Sequence, residues 1–112
     1  MGIELELHTE RPAAGNGQRS RATLLHGSYG HGEALAAALP AYAPHGSSWL
    51  ARIDPYGDTL FNEQTAGIAH GEALALLAHC AEVRGRAALS DLAELLARCA
   101  RTPGSWVWCM GD

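Results

Sequence analysis

The stretch from Leu89 to Met110, LSDLAELLARCARTPGSWVWCM, decides the fold, because within it the apolar period changes from that of a helix to that of a strand. Leu89, Leu92, Leu96 and Cys99 recur at 3-4-3 spacing and so share one helical stripe. Asp91 near the start and Arg98 and Arg101 near the end match the sign of the helix dipole, which predicts a helix from about Ala87 to Arg101. Thr102-Pro103-Gly104 stops it. Beyond, Trp106, Trp108 and Met110 alternate with Val107 and Cys109, the period of a closing strand.

Working back toward the N-terminus, Asn62 is placed to cap a second long helix reaching about Glu82, with Ile68, Ala69, Ala73, Leu76, Leu77 and Cys80 on a wide apolar face. Arg84-Gly85-Arg86 is read as the break between the two helices. Trp49 to Ile53 reads as a strand, bounded by the turn Asp54-Pro55-Tyr56-Gly57-Asp58. At the start of the chain Ile3, Leu5 and Leu7 alternate with Glu4, Glu6 and His8, a half-buried strand with a charged face. Residues 10 to 20 lack periodicity and read as a loop, Ala22 to Leu25 as a short strand, and His26 to Gly32 as a glycine-rich turn. A short helix from about Gly32 to Ala38 ends near Pro40, which has no N–H to continue it. The expectation is a single α+β domain over residues 1–112. It has a small, mainly antiparallel sheet of three or four strands (near 2–8, 22–25, 48–53 and 105–110) with two long helices and one short helix on one face. Both chain ends are strands, so both are expected in the same sheet.

Composition narrows function by exclusion. A chain of 112 residues is one small domain, expected to leave about 6,000 Å² exposed. Eight basic residues, all arginine, against twelve acidic ones give a net charge of −4, the wrong sign for neutralising phosphates, so nucleic acid is excluded as a partner. Six histidines make that charge conditional: protonating all of them moves it from −4 to +2. No apolar run approaches a membrane span and the acidic N-terminus is unlike a signal peptide. Cys80, Cys99 and Cys109 form no close pair, which fits a reducing cytoplasm and neither a disulfide framework nor a zinc knuckle. The histidines and cysteines lack metal-ligand spacing, and neither metal nor cofactor is expected.

Three places remain as candidate sites. Leu24-Leu25-His26-Gly27-Ser28-Tyr29-Gly30 looks like a hydrolase oxyanion turn, but 112 residues cannot build the parallel sheet which that site requires. What is left is a glycine turn with Ser28 and His31 as possible ligand donors. Asp54, Tyr56 and Asp58 share one loop before the longest helix, a place suited to a small-molecule site, although the carboxylates also suit turn capping. Trp106 and Trp108 share a strand face, which becomes a partner-binding patch if nothing covers it. The hexapeptide His31-Gly32-Glu33-Ala34-Leu35-Ala36 recurs as His70-Gly71-Glu72-Ala73-Leu74-Ala75. Two short copies are read as coincidence in helical sequence, one opening a short helix and one inside a long one.

From Trp49 onward the chain resembles a group of small cytosolic proteins of high-GC bacteria. In that group an I-D-P-Y-G-D-T-x-F-N run precedes two helices and the chain closes on a strand ending in Gly-Asp. Here those elements are Ile53 to Asn62 and Ser105 to Asp112. The resemblance implies a compact mixed fold and a cytoplasmic setting, and brings no catalytic residue. The leading expectation is therefore a non-enzymatic protein-binding domain, such as a toxin-neutralising immunity protein. Against it stand a small enzyme or ligand-binding domain using the Asp54–Asp58 loop, and a homodimeric scaffold paired through the terminal strand edge or a helix face.

Overall fold

The structure is a computed structural model and describes residues 2–12, 23–41 and 48–111. In chain order the elements are β1 (Ile3–His8), β2 (Leu24–Ser28), α1 (Gly32–Ala38), 3-10 turns at Leu39–Ala41 and Leu50–Arg52, β3 (Asp58–Asn62), α2 (Glu63–His79), α3 (Val83–Arg101) and β4 (Trp106–Gly111). The four strands form one antiparallel sheet in the order β2-β1-β4-β3. The α+β architecture expected from the two apolar periods is present, and the chain ends meet at its centre, Ile3 opposite Gly111 and His8 opposite Trp106.

One face of the sheet carries the core. Ile3, Leu5 and Leu7 of β1, Phe61 of β3 and Val107 and Cys109 of β4 are at most 2% exposed. They meet the α3 stripe of Leu89, Leu92, Leu96 and Cys99, which is equally buried. Each such leucine contributes about 2 kcal/mol by leaving water. On α2 the inward positions are Ala66, Ala69, Ala73 and Leu76, and the three alanines are wholly buried. Small side chains there let α2 approach its neighbours closely. Helix α3 packs against both α1 and α2. The exposed surface of 6009 Å² matches the area expected for the length. No described helix is long and apolar enough to cross a membrane.

Several boundaries differ from the sequence reading. The third strand is Asp58–Asn62, not the stretch near 48–53. Residues 50–52 form a 3-10 turn because the Glu72 carboxylate of α2 accepts the N–H groups of Trp49 (3.1 Å) and Leu50 (2.9 Å), and Ser48 Oγ accepts that of Ala51 (3.0 Å). A helical turn satisfied at its N-terminus in this way outcompetes the β-preference of Trp49 and Ile53. Asn62 caps α2 as expected, accepting the N–H of Thr65 at 2.8 Å while Thr65 Oγ1 accepts that of Asn62 at 2.9 Å. The interruption between the long helices lies at Cys80–Glu82 and not at Arg84-Gly85-Arg86. Glu82 caps α3 through the N–H groups of Arg84 and Gly85, and Arg86 turns back to donate to the carbonyls of Leu77 (2.7 Å) and Cys80 (2.8 Å). Gly85 is buried at this corner, where a Cβ would lie 3.1 Å from Cys80 Sγ.

His26, Gly27 and Ser28, read as a turn, belong to β2. Tyr29 folds back across Gly27, so a Cβ there would displace the tyrosine ring and its hydroxyl. Ala22 and most of the 10–20 loop lie outside the described residues.

Candidate functional site

The Asp54–Asp58 loop is bound into the fold by its own polar groups. Asp54 Oδ1 accepts the N–H of Tyr56 at 2.8 Å, and the Asp54 N–H donates to Thr59 Oγ1 at 3.1 Å. The turn is pinned to the end of β4 by Gly111 N–H donating to the Gly57 carbonyl at 2.7 Å. Asp58 opens β3 and is exposed, and Tyr56 is 68% exposed. The nearby apolar recess of about 240 Å³ is lined by Ile3, Leu39, Leu50, Ile53 and Pro55, and by none of Asp54, Tyr56 and Asp58.

The turn after β2 borders a second cleft, of about 360 Å³, formed with the start of β1, α1 and Arg84 of α3. Tyr29, Gly30 and Gly32 line it together with Glu4, Glu33 and Arg84. Ser28 faces the other way, its hydroxyl donating to Asp91 of α3. His31 precedes α1 and is exposed, without a side-chain hydrogen bond to the helix N-terminus. Ser28 and His31 therefore flank the cleft and line neither it nor each other.

On the sheet face opposite the core lie Glu6, His8, Trp106, Trp108 and Met110, and no described helix covers them. Burial there is nonetheless high: Glu6 2%, His8 0%, Trp108 5% and Met110 7% exposed. Glu6 and His8 pair at 2.9 Å through Nε2, His8 Nδ1 reaches Thr23 Oγ1 at 2.8 Å, and the Tyr29 hydroxyl donates to Glu6 Oε2 at 2.6 Å. The His8 ring lies 5.9 Å from that of Trp108, and the Arg11 guanidinium sits 5.3 Å above Trp106. Trp108 is thus enclosed and Trp106 half-buried, and the two do not make an exposed aromatic patch. Trp108 Nε1 has no hydrogen-bond partner among the described residues. Both His8 nitrogens are engaged within the protein, and Glu6, held by His8, in turn holds Tyr29 across the sheet.

The thiols of Cys99 and Cys109 are equally enclosed, and Cys80 is half-buried. Burial pushes Cys109 up to about 12 and raises Cys99 as well, partly offset for Cys99 by its hydrogen bond with Ser105. Neither is a nucleophile near neutral pH. Among the described residues no three His, Cys, Asp or Glu side chains converge as a metal site would require.

The surface that stands apart is the outer side of α2. At 100° per residue Gln64, Gly67, Ile68, Leu74, Ala75 and Ala78 fall within about 60° of Gly71 on one side or the other, and all seven are exposed. None is charged. Ile68, expected on the buried face, is 52% exposed, and Leu74 is 49% exposed. The two carboxylates of the helix are engaged to either side: Glu72 on Trp49 and Leu50, and Glu63 Oε1 on the N–H of Gly104 at 3.2 Å. Two branched side chains, Ile68 on one side and Leu74 on the other, thus flank a shallow row of small ones.

The sequence reading missed this face because it assigned Ile68 inward by count of apolar residues. The signal was available in composition: apolar or small residues occur all round α2, a pattern that in a surface helix implies a further contact. The terminal strand edge, proposed as a dimer contact, does not exist, since β1 and β4 are the two central strands and the edges belong to β2 and β3. No family model, curated protein or solved structure matches the chain.

Proposed function

We propose that this protein is a binding module that docks a protein partner through the outer face of α2. The observation that carries the reading is the row of seven exposed, uncharged positions on that helix, with Ile68 and Leu74 half exposed along its two margins. Two half-exposed aliphatic side chains beside a row of glycine and alanine, with no charge among them, support this reading, because depletion of charge distinguishes the centre of a contact from its surroundings. The capped Asp54–Asp58 loop supports the same reading over a small-molecule site there, because the Asp54 carboxylate is committed to its own turn. Toxin neutralisation is the finer form of the proposal, supported by small size.

The test compares immobilised wild-type chain with the Ile68→Asp/Leu74→Asp variant. Both substitutions lie on half-exposed positions, so the variant should unfold within a few degrees of wild type. A protein held by the wild type, then purified and titrated, should bind the variant at least about 30-fold more weakly, the loss of one hot-spot residue. Equal affinity for both folded chains would remove the reading.

A further inference from the structure

We infer that the partner of the α2 face is a second copy of this chain, the two helices crossing antiparallel on a two-fold axis at Gly71. This rests on the proposed docking role of α2 and adds who occupies it.

The argument begins with shape. At 100° per residue, Ile68 and Ala75 lie on one side of Gly71, at about 60° and about 40° and on opposite sides of it along the axis. Leu74 and Gly67 occupy the other side in the same way. A two-fold axis through Gly71, perpendicular to the plane of the paired helices, keeps each lateral side and exchanges the two ends. It therefore sets Ile68 of one chain over Ala75 of the copy and Leu74 over Gly67. Each large side chain meets a small one, and both contacts occur twice. The hollow that receives Leu74 is extended by α3, because Gly67 lies beside Ala100, a Cβ there being 3.8 Å from that of Ala100. Ala100 is itself exposed. At the crossing point a Cβ on Gly71 would meet nothing within 4 Å in the single chain, so its absence serves no packing there, while it lets a second helix approach.

Charge gives the second argument. Two copies of a chain carrying −4 repel wherever their acidic surfaces meet. The outer face of α2 carries no charge, with Glu63 and Glu72 occupied at its margins, so a copy can approach here without like-charge cost. A strongly charged partner, by contrast, finds no complement. An isologous contact of this kind closes at two copies.

Size sets the strength. The 17 residues of α2 make a face about 25 Å long and about 10 Å wide, or roughly 250 Å², below the roughly 800 Å² per partner of a standard stable complex. The dimer is accordingly weak, and its population rises with concentration.

Sedimentation of the full chain from about 1 to about 500 µM should show the mass rising from 11.8 kDa toward twice that value. Gly71→Arg places like charges at the crossing and should stay at the single-chain mass throughout, with its circular dichroism unchanged because the site is open in the monomer. Register is read separately. In a Cys80→Ala background, an equal mixture of Ile68→Cys and Ala75→Cys chains should form the mixed disulfide in preference to either symmetric one. A single-chain mass at every concentration, or a dimer that survives Gly71→Arg, overturns the inference. A monomeric wild type that still binds another protein in an Ile68- and Leu74-dependent way would overturn self-pairing alone and leave the docking role standing.

Discussion

At the scale of single residues, this fold buries ionisable groups on both faces of its sheet. Cys109 sits in the centre of the sheet with its thiol raised to about 12, against 9.0 for a free thiol, through burial. Unfolding releases the thiol to ionise near 9, so between pH 9 and 12 the unfolded chain binds fewer protons than the folded one. Stability then falls as pH rises, by about 1.4 kcal/mol per unit from this group, and below 9 it contributes no slope. Cys99, raised in the same direction, adds to the fall. Urea unfolding between pH 8 and 10.5 should show this decline, and Cys109→Ala should flatten it even though the variant starts from a lower stability. An unchanged slope would mean that the thiol is already accessible in the folded protein. The Glu6–His8 pair makes the same point without titration, since alternation along β1 placed both on the face opposite the core and burial there is almost complete.

Elements are decided by what satisfies their ends as much as by their apolar pattern. The repeated hexapeptide is the clearest case. Gly32 opens α1 against β1, where a Cβ would lie 3.1 Å from Ile3 N, and Leu35 is 1% exposed; in α2 the matching Gly71 is open and Leu74 is 49% exposed. Glu33 is exposed at the cleft, whereas Glu72 accepts two N–H groups that start the Leu50–Arg52 turn. Glu72→Ala should therefore cost about 2 kcal/mol, the value of backbone hydrogen bonds to a charged acceptor, as those two donors lose their partner. Glu33→Ala should stay within about 0.5 kcal/mol, as surface changes do. Thermal unfolding of the two variants checks the difference, and equal losses would mean that the contact from α2 does not hold the turn.

For the whole molecule, the sheet order makes the last strand indispensable. Strand β4 lies between β1 and β3, pairs with both, and delivers Val107 and Cys109 to the core. A chain ending at Arg101 keeps all three helices but leaves β1 and β3 without a common neighbour, exposing the α3 stripe. It should lack a cooperative thermal transition, while adding the 105–112 peptide in trans should restore part of it. A truncated chain that unfolds cooperatively by itself would show that α2 and α3 form a sufficient core alone.

Read along the chain, the amino-acid sequence determined whatever depends on periodicity over a full element. The α3 stripe, the Asn62 cap, the strand character of both ends and the α+β class follow from side chains and backbone close in sequence. Only the tertiary structure decided between the Trp49–Ile53 and Asp58–Asn62 stretches as the third strand, because the choice depends on Glu72, more than twenty residues from Trp49, accepting the N–H groups of a turn. It likewise decided that Glu6 and His8 are buried, that Trp108 is enclosed, and that Ile68 faces outward. Periodicity says which side chains share a face; what covers that face depends on where the rest of the chain goes, and for the outer side of α2 no described part of it does.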